Sequence, residues 1–318
     1  MKLSVLIITY NHEKFIAQAL DSVLMQTVNF DYEIVIGEDC STDGTRDIVL
    51  AYLDAHPDKI RLLLPEKNLG MHRNFVETYR ACRGEYLALL DGDDYWSSRD
   101  KLQQQVDFLD ANPGCAICFH PVAIATAEDP SASVTFPEGF DRAVSTLEDL
   151  VVENFIPTCS AVARGGLITE FPEWFFSLRQ GDWPFHVMNA QHGDIGFLND
   201  TMAVYRVHAG GVWSGEKLAP RLEAIVEAYS AINDHLGRKY DHLVRREMAR
   251  YYYRISRCHE EMGAVGPARE AFWKGLRSSF NAASGRERAV LALKLYAPRL
   301  YRFVAGAMQA CGSGAGNG

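Results

Sequence analysis

YLALLDGDDYW, residues 86–96, sets a short apolar run directly against three carboxylates. An apolar run of this length, bounded by a turn, reads as a buried strand. Residues 86–90 therefore lie within a sheet, and Asp91, Gly92, Asp93 and Asp94 stand where the strand leaves it. Carboxylates this close together repel one another, and a divalent cation relieves the repulsion. Mg2+ or Mn2+ takes a few protein oxygens and completes its shell with substrate phosphates, so the cluster suits a metal diphosphate. Gly92 allows a tight bend, and Asp93 and Asp94 point to different sides, so one of the two is the direct ligand. The plainer reading of the same residues is a solvated turn or a cap for the helix that follows.

The alternation of apolar run and helical periodicity fills the first 125 residues. LSVLII (3–8), YEIVIG (32–37), IRLLL (60–64) and CAICFHPVAI (115–124) are further strands. Between them, helical stripes are expected from Phe15 to Leu24 with Asn11 as N-cap, through Ile48, Tyr52 and Leu53, near 71–83 and near 99–111. This repetition, with short connections, implies a mostly parallel sheet with right-handed crossovers and helices on both faces. Ligands of such sheets bind beyond the carboxyl ends of the strands. Thr9-Tyr10-Asn11, Glu38-Asp39 and Asp91-Gly92-Asp93-Asp94 are all expected at that edge.

The chain has 318 residues, 47% hydrophobic, with a formal net charge of −9. Nucleic-acid affinity rests on basic surface facing phosphates, so the acidic balance argues against that partner. The opening run of apolar residues is too short for a signal segment or a membrane span. Seven dispersed cysteines, an odd number, fit reduced thiols in a cytoplasmic protein. Cys115 and Cys118 have a zinc-like spacing but no matching pair, and on a strand they turn to opposite faces, so they read as small buried side chains.

Residues 126–150 are irregular and border the site, while 151–213 carry QGDWPFH, NAQHGDIGFLND and YRVHAGGVW. From about 216 the texture changes to long, charged, helical sequence. The expected division is a catalytic domain over 1–215, a helical extension over 216–308 and a flexible tail over 309–318. Within the extension, residues 250–280 resemble a single tetratricopeptide-type hairpin, with Tyr253, Gly263, Ala268, Ala271 and Phe272 at packing positions. One such unit must dock on other helices or on a partner.

SVLIITYNHEKFIAQALDSVLMQT, IVIGEDCSTDGT, NLGMHRNF and GEYLALLDGDDYW, in this order, resemble the family 2 glycosyltransferases: inverting nucleotide-sugar enzymes of the Rossmann-like GT-A fold. The likeness runs over residues 3 to 125 and thins to isolated motifs through 213. It implies that Tyr10 stacks on the nucleotide base, that Asp39 accepts the N3 proton of uracil, and that Thr9, Asn11, Glu38, Arg73, Asp91 and Gly92 surround the donor. Glu38 stands where aspartate is commoner. The resemblance further implies a metal held by Asp93, with Asp94 sharing it or holding its waters and His208 completing its shell. An aspartate at the start of a helix would serve as general base. Asp182 matches it, although Gly181 departs from the glutamate that usually precedes it; a helix cap is the bland alternative. Trp183 and Trp213 either stack on the acceptor sugar or pack.

These readings describe a metal-dependent enzyme moving a sugar, from UDP by default, to a glycan or glycolipid hydroxyl in the cytoplasm or at the inner face of the membrane. The helical extension is the candidate for oligomerisation or peripheral membrane contact. A haloacid-dehalogenase-type phosphatase would need its aspartates after the first strand, and a dinucleotide oxidoreductase a glycine fingerprint there. The remaining alternative is a catalytically impaired nucleotide-sugar-binding or scaffold protein.

Overall fold

The apolar run of residues 3–9 forms β1 (Leu3–Thr9), the strand on which the first half of the molecule is registered. The chain continues through α1 (Ile16–Leu24), β2 (Tyr32–Glu38), α2 (Thr45–Ala55), β3 (Ile60–Leu63), α3 (Met71–Ala81), β4 (Tyr86–Asp91), β5 (Tyr95–Trp96), α4 (Lys101–Ala111), β6 (Cys115–Phe119) and β7 (Val122–Ala125). Then follow β8 (Val134–Phe136), β9 (Val144–Ser145), α5 (Leu147–Val152), β10 (Val162–Arg164), α6 (Asp182–Ala190), β11 (Asp194–Phe197) and β12 (Ala203–Arg206). This computed structural model describes residues 1–126, 131, 134–211, 213, 215–279, 282 and 284–302. By its own contacts the chain divides into two compact units, Met1–Gly215 and Glu216–Gly318.

The main sheet of the first unit has the order β3-β2-β1-β4-β10-β6-β11-β9. β3, β2, β1 and β4 are parallel neighbours, and Thr9 pairs with Glu38 while Ile8 pairs with Asp91. That register brings three strand ends, and the three polar clusters that follow them, to one edge. Leu3, Val5, Ile7, Ile34, Ile36, Ala88 and Leu90 pack on Ile16, Ala19, Leu20 and Val23 of α1 to form the core. Burial on both faces is why these strands read as unbroken apolar runs.

Four details differ from expectation. β10, a short strand from far down the chain, inserts antiparallel between β4 and β6, so the sheet is mixed beyond β4. The strand expected over 115–124 breaks at His120-Pro121, because proline has no amide hydrogen to give to a ladder. Its second half, β7, joins a smaller sheet of order β5-β12-β7-β8. Asn11 does not cap α1: it takes a left-handed φ of 56° and its Oδ1 accepts the Thr42 N–H at 2.8 Å, an assignment asparagine tolerates well. Phe15, expected in the apolar stripe, lies ahead of α1 with its ring 4.7 Å from that of His208.

The second unit contains α7 (Leu218–His235), α8 (Asp241–Glu261), α9 (Val265–Ser278) and α10 (Gly285–Tyr296). Tyr253, Ala268 and Phe272 share one buried cluster, and Ala271 is buried in another with Leu222 and Ile255. Gly263, at a φ of 75°, makes the turn between α8 and α9. The tail expected over 309–318, like the last residues of the extension, lies outside the described residues.

Candidate functional site

Asp93 stands at the turn after β4 with its Oδ2 3.0 Å from His208 Nε2 and 3.7 Å from His12 Nε2. His208 and Asp93 are 115 residues apart in sequence, and β12 is what joins them. β12 pairs with β5, the two-residue strand that follows the aspartate cluster. Arg206, the last residue of β12, donates its backbone N–H to Asp94 Oδ1 at 2.8 Å. Its guanidinium donates to the Asp93 carbonyl and lies between the rings of Tyr95 and Phe15.

The two neighbouring aspartates differ in kind. Asp93 is half-buried and faces the imidazoles, whereas Asp94 is 1% exposed and holds β12. Asp94 is buried beside the Cys159 thiol, and burial, with Asp93 and Asp91 beside it, holds the Asp94 carboxyl well above the usual carboxylate range. Burial, followed by the charges of Asp93 and Asp182, pushes Asp91 up to about 8. Crowded carboxylates and imidazoles are donor types that suit a borderline divalent cation. Among the described residues these side chains stand as acid–imidazole pairs, not as a closed coordination group.

Gly92 is fixed by its neighbours. A Cβ there would lie 2.6 Å from Thr9 Oγ1 and 2.9 Å from His12 Nδ1, so only glycine lets the turn approach the end of β1.

Asp182 opens α6, and its Oδ2 accepts from Asn154 Nδ2 at 3.0 Å. Burial raises its carboxyl, against the hydrogen bonds from Trp183 N–H and Asn154. Tyr205 on β12 gathers the site: its phenol is raised by burial first, then by Asp94, Asp93, Asp91 and Asp182 together. Four acids from two stretches of chain, 91–94 and 182, therefore act on one residue. Beside Asp182, a Cβ at Gly181 would stand 3.4 Å from the His72 ring, so an imidazole from α3 flanks the position where the resembled family usually has glutamate.

At the other end of the edge, Asp39 is buried and its carboxylate is tied down. Oδ1 accepts the Leu69 N–H at 2.7 Å and Oδ2 the Gly70 N–H at 2.9 Å, at the start of α3. Glu38, fully buried, accepts from Ser41 N–H and from Arg46, and so braces the loop after β2. Tyr10 is 43% exposed beside it. Arg73 is exposed on α3 with its guanidinium 5.8 Å from the Phe176 ring centroid.

Trp183 is not a sugar platform: it is 2% exposed and its Nε1–H donates to the Leu150 carbonyl at 2.9 Å, which places the ring in the core. Trp213 lies half-buried in a turn. His12, Tyr205 and Arg206 were missed in the sequence reading. His12 had a signal, since it belongs to the polar cluster that follows β1; Tyr205 and Arg206 had none, because a strand residue declares its partner only when the sheet forms.

A Rossmann-like sheet that sends aspartates from β2 and β4 to one edge, beside an added antiparallel strand, defines the GT-A class of fold. The sequence profile "Glycosyl transferase family 2" matches residues 4–171, more than half of the chain, and the chain belongs to that family. An uncharacterized protein of Mycobacterium tuberculosis is 40% identical over 211 residues, 66% of this chain but 60% of that protein, so the chain spans less than two thirds of that relative's length. Among solved structures, Staphylococcus aureus TarS 1–349 in complex with UDP-GlcNAc has a TM-score of 0.62 at 19% identity, covering 92% of this chain and 87% of that one. The mannosyltransferase PcManGT of Pyrobaculum calidifontis, in complex with GDP-Man and Mn2+, has a TM-score of 0.57 at 21% identity, covering 97% and 84%. At those identities the likeness establishes the fold. The family profile ends before α7 and does not reach the hairpin of α8 and α9, whose tetratricopeptide character stays an expectation.

Proposed function

We propose that the protein is an inverting glycosyltransferase that moves a sugar from a nucleotide donor, UDP first, to a hydroxyl of a glycan or glycolipid acceptor. The observation that carries this reading is the Asp93–His208 pair, 3.0 Å apart at the end of β4, supported by Asp182 at the start of α6, whose charge reaches Asp91. Inversion needs a base on one face of the anomeric carbon and charge stabilisation for the leaving diphosphate on the other. Asp182, with its affinity for a proton raised by burial, takes the proton of the acceptor hydroxyl. Asp91 holds the donor's ribose or sugar hydroxyls. Tyr10 offers an exposed ring to the base, and Asp39, oriented by two backbone N–H groups, keeps lone pairs for an imide N–H. Thr9, Asn11, Gly92 and Glu38 shape that pocket, and Arg73 is the cation available to a phosphate.

Asp93 and His208 would hold Mn2+ or Mg2+, with Asp94 holding its waters. When bound, the ion supplies Lewis-acid stabilisation of the leaving diphosphate. The solved relatives whose complexes contain UDP-GlcNAc, or GDP-Man with Mn2+, support a nucleotide-sugar donor and a divalent ion. We place the protein in the cytoplasm, working on its own or against the inner membrane face. Among the described residues no helix is long and apolar enough to cross a membrane.

The test is a thermal-shift panel of UDP, GDP, CDP and dTDP, each with and without Mn2+, on wild type and Asp93→Asn. A ligand stabilises the fold that binds it. UDP with Mn2+ should raise Tm most, and Asp93→Asn should remove the Mn2+ increment while leaving part of the UDP effect. Equal shifts for all four nucleotides would sink the uracil assignment.

A further inference from the structure

Positive charge in the helical unit is gathered in its last two described helices. Residues 216–264, through α7 and α8, carry nine Lys and Arg against eight Asp and Glu, whereas residues 265–302, through α9 and α10, carry eight against two, a net of +6. The same segment leaves Trp273 51%, Tyr296 45% and Leu300 51% exposed. We propose that the side of α9 and α10 bearing Trp273 and Tyr296 docks on an anionic lipid bilayer, with the two rings at headgroup level and the flanking arginines against lipid phosphates. Docking of this kind needs neither nucleotide nor metal, so it goes beyond the transferase function without resting on it.

The packing of α9 on α10 puts the rings and the cations together. Arg269, Trp273 and Arg277 recur at intervals of four, which sets them along one face of α9. Arg269 donates through Nε and Nη2 to the Leu295 carbonyl at 3.1 and 2.6 Å, and its guanidinium lies 4.8 Å from the Tyr296 ring centroid. Tyr296 is thereby held on the side of α10 that adjoins this face. The buried Phe272 ring stands 6.1 Å from Trp273 and 6.3 Å from Tyr296, so one core ring backs both exposed ones.

The cations there are only partly compensated. Lys274 pairs with Glu270 and Lys294 with Glu260, while among the described residues Arg277, Arg286 and Arg299 stand in no ion pair. Exposed amphipathic rings beside uncompensated arginines fit a membrane–water boundary, where the ring body meets the acyl edge and the cations meet anionic headgroups. A second copy of the chain is a poor occupant, because it would set a surface of net positive charge against itself. A soluble polyanion would engage the arginines and leave Trp273 and Leu300 in water.

The experiment is flotation of the full chain with vesicles of phosphatidylcholine alone or mixed with phosphatidylglycerol, with brominated lipid as a quencher of tryptophan fluorescence. The proteins are wild type, Trp273→Phe, Trp273→Ala, Arg277→Ala, Arg299→Ala and, as a cation outside the surface, Lys239→Ala; Lys239 is exposed in the turn between α7 and α8. Wild type should float with the mixed vesicles, and brominated lipid should quench a share of its fluorescence that Trp273→Phe lacks. Arg277→Ala and Arg299→Ala should each weaken partition about fivefold, the loss of one cation at an anionic surface, and Lys239→Ala should not. Trp273→Ala should weaken partition and keep its salt dependence, because the contribution of the ring is not screened. No flotation with mixed vesicles, equal flotation with phosphatidylcholine alone, or as large a loss in Lys239→Ala overturns the proposal. So does transfer of the protein from vesicles to heparin with Trp273 unquenched, which assigns the surface to a soluble polyanion. A chain that floats but takes up no UDP in a thermal shift loses the transferase function and keeps the docking surface.

Discussion

The Lys101 ammonium lies fully buried at the start of α4, 4.2 Å from the Trp96 ring centroid, and donates to Gln105 Oε1 at 2.7 Å. Burial lowers it to about 7, with the Cys118 and Cys159 thiols opposing and the His120 ring also close. Between about pH 7 and the ordinary lysine value of 10.5, the unfolded chain holds a proton that the folded chain has released. Unfolding then takes up protons, so this residue makes stability rise with pH, by up to ~1.4 kcal/mol per unit. The buried thiols act oppositely at higher pH, so the difference between two proteins is the clean quantity. Denaturant unfolding at pH 7, 8 and 9 should show wild type gaining on Lys101→Met by roughly 1 kcal/mol per unit; parallel profiles would refute a depressed Lys101. At the candidate site the corresponding residue is Asp182. Asp182→Asn should lower turnover by about 10²–10⁴ while UDP binding stays near wild type, measured by donor-transfer kinetics and calorimetry. Persistent turnover would move the base elsewhere.

At the scale of elements, the site depends on how closely α3 sits on β2. Gly37 has no room for a side chain: a Cβ would lie 2.1 Å from Thr78 Oγ1 and 2.4 Å from Asn74 Oδ1. Asn74 Nδ2 uses that proximity to donate to the Gly37 carbonyl at 2.8 Å, and the start of the same helix supplies the N–H that Asp39 accepts. Gly37→Ala should therefore cost about 1–3 kcal/mol in urea unfolding and weaken UDP more than Mn2+, because the helix must shift at its nucleotide end. Full stability would show that the contact yields. The parallel strands were legible as apolar runs because they are buried on both faces. β5, β10 and β12 were not, being two to four residues long and stable only through pairing with strands distant in sequence.

At the scale of the molecule, charge is divided unevenly. From residue 216 onward 17 Lys and Arg face 10 Asp and Glu, a net of +7, which leaves −16 for residues 1–215 in a chain of −9. The helical unit also exposes Trp273 and Tyr296, amphipathic rings suited to a membrane–water boundary. Cosedimentation with vesicles rich in anionic phospholipid should capture the protein at low salt and release it near 1 M, where the screening length falls to about 3 Å. Equal capture by zwitterionic vesicles would count against an electrostatic attachment.

The sequence by itself determined the alternation of strand and helix, the polar clusters at residues 9–11, 38–39 and 91–94, and the change of texture near 216, because burial periodicity and strand-end chemistry are local properties. Only the tertiary structure decided which acids meet. It brought His208 and His12 to Asp93, set Asp94 to holding a strand, and put the charge of Asp182 near enough to raise the Asp91 carboxyl. It also sent Trp183 into the core, where its N–H has a carbonyl to satisfy. These outcomes depend on pairings across as many as 115 residues, and no local pattern encodes them, because the contact exists only once β12 lies against β5.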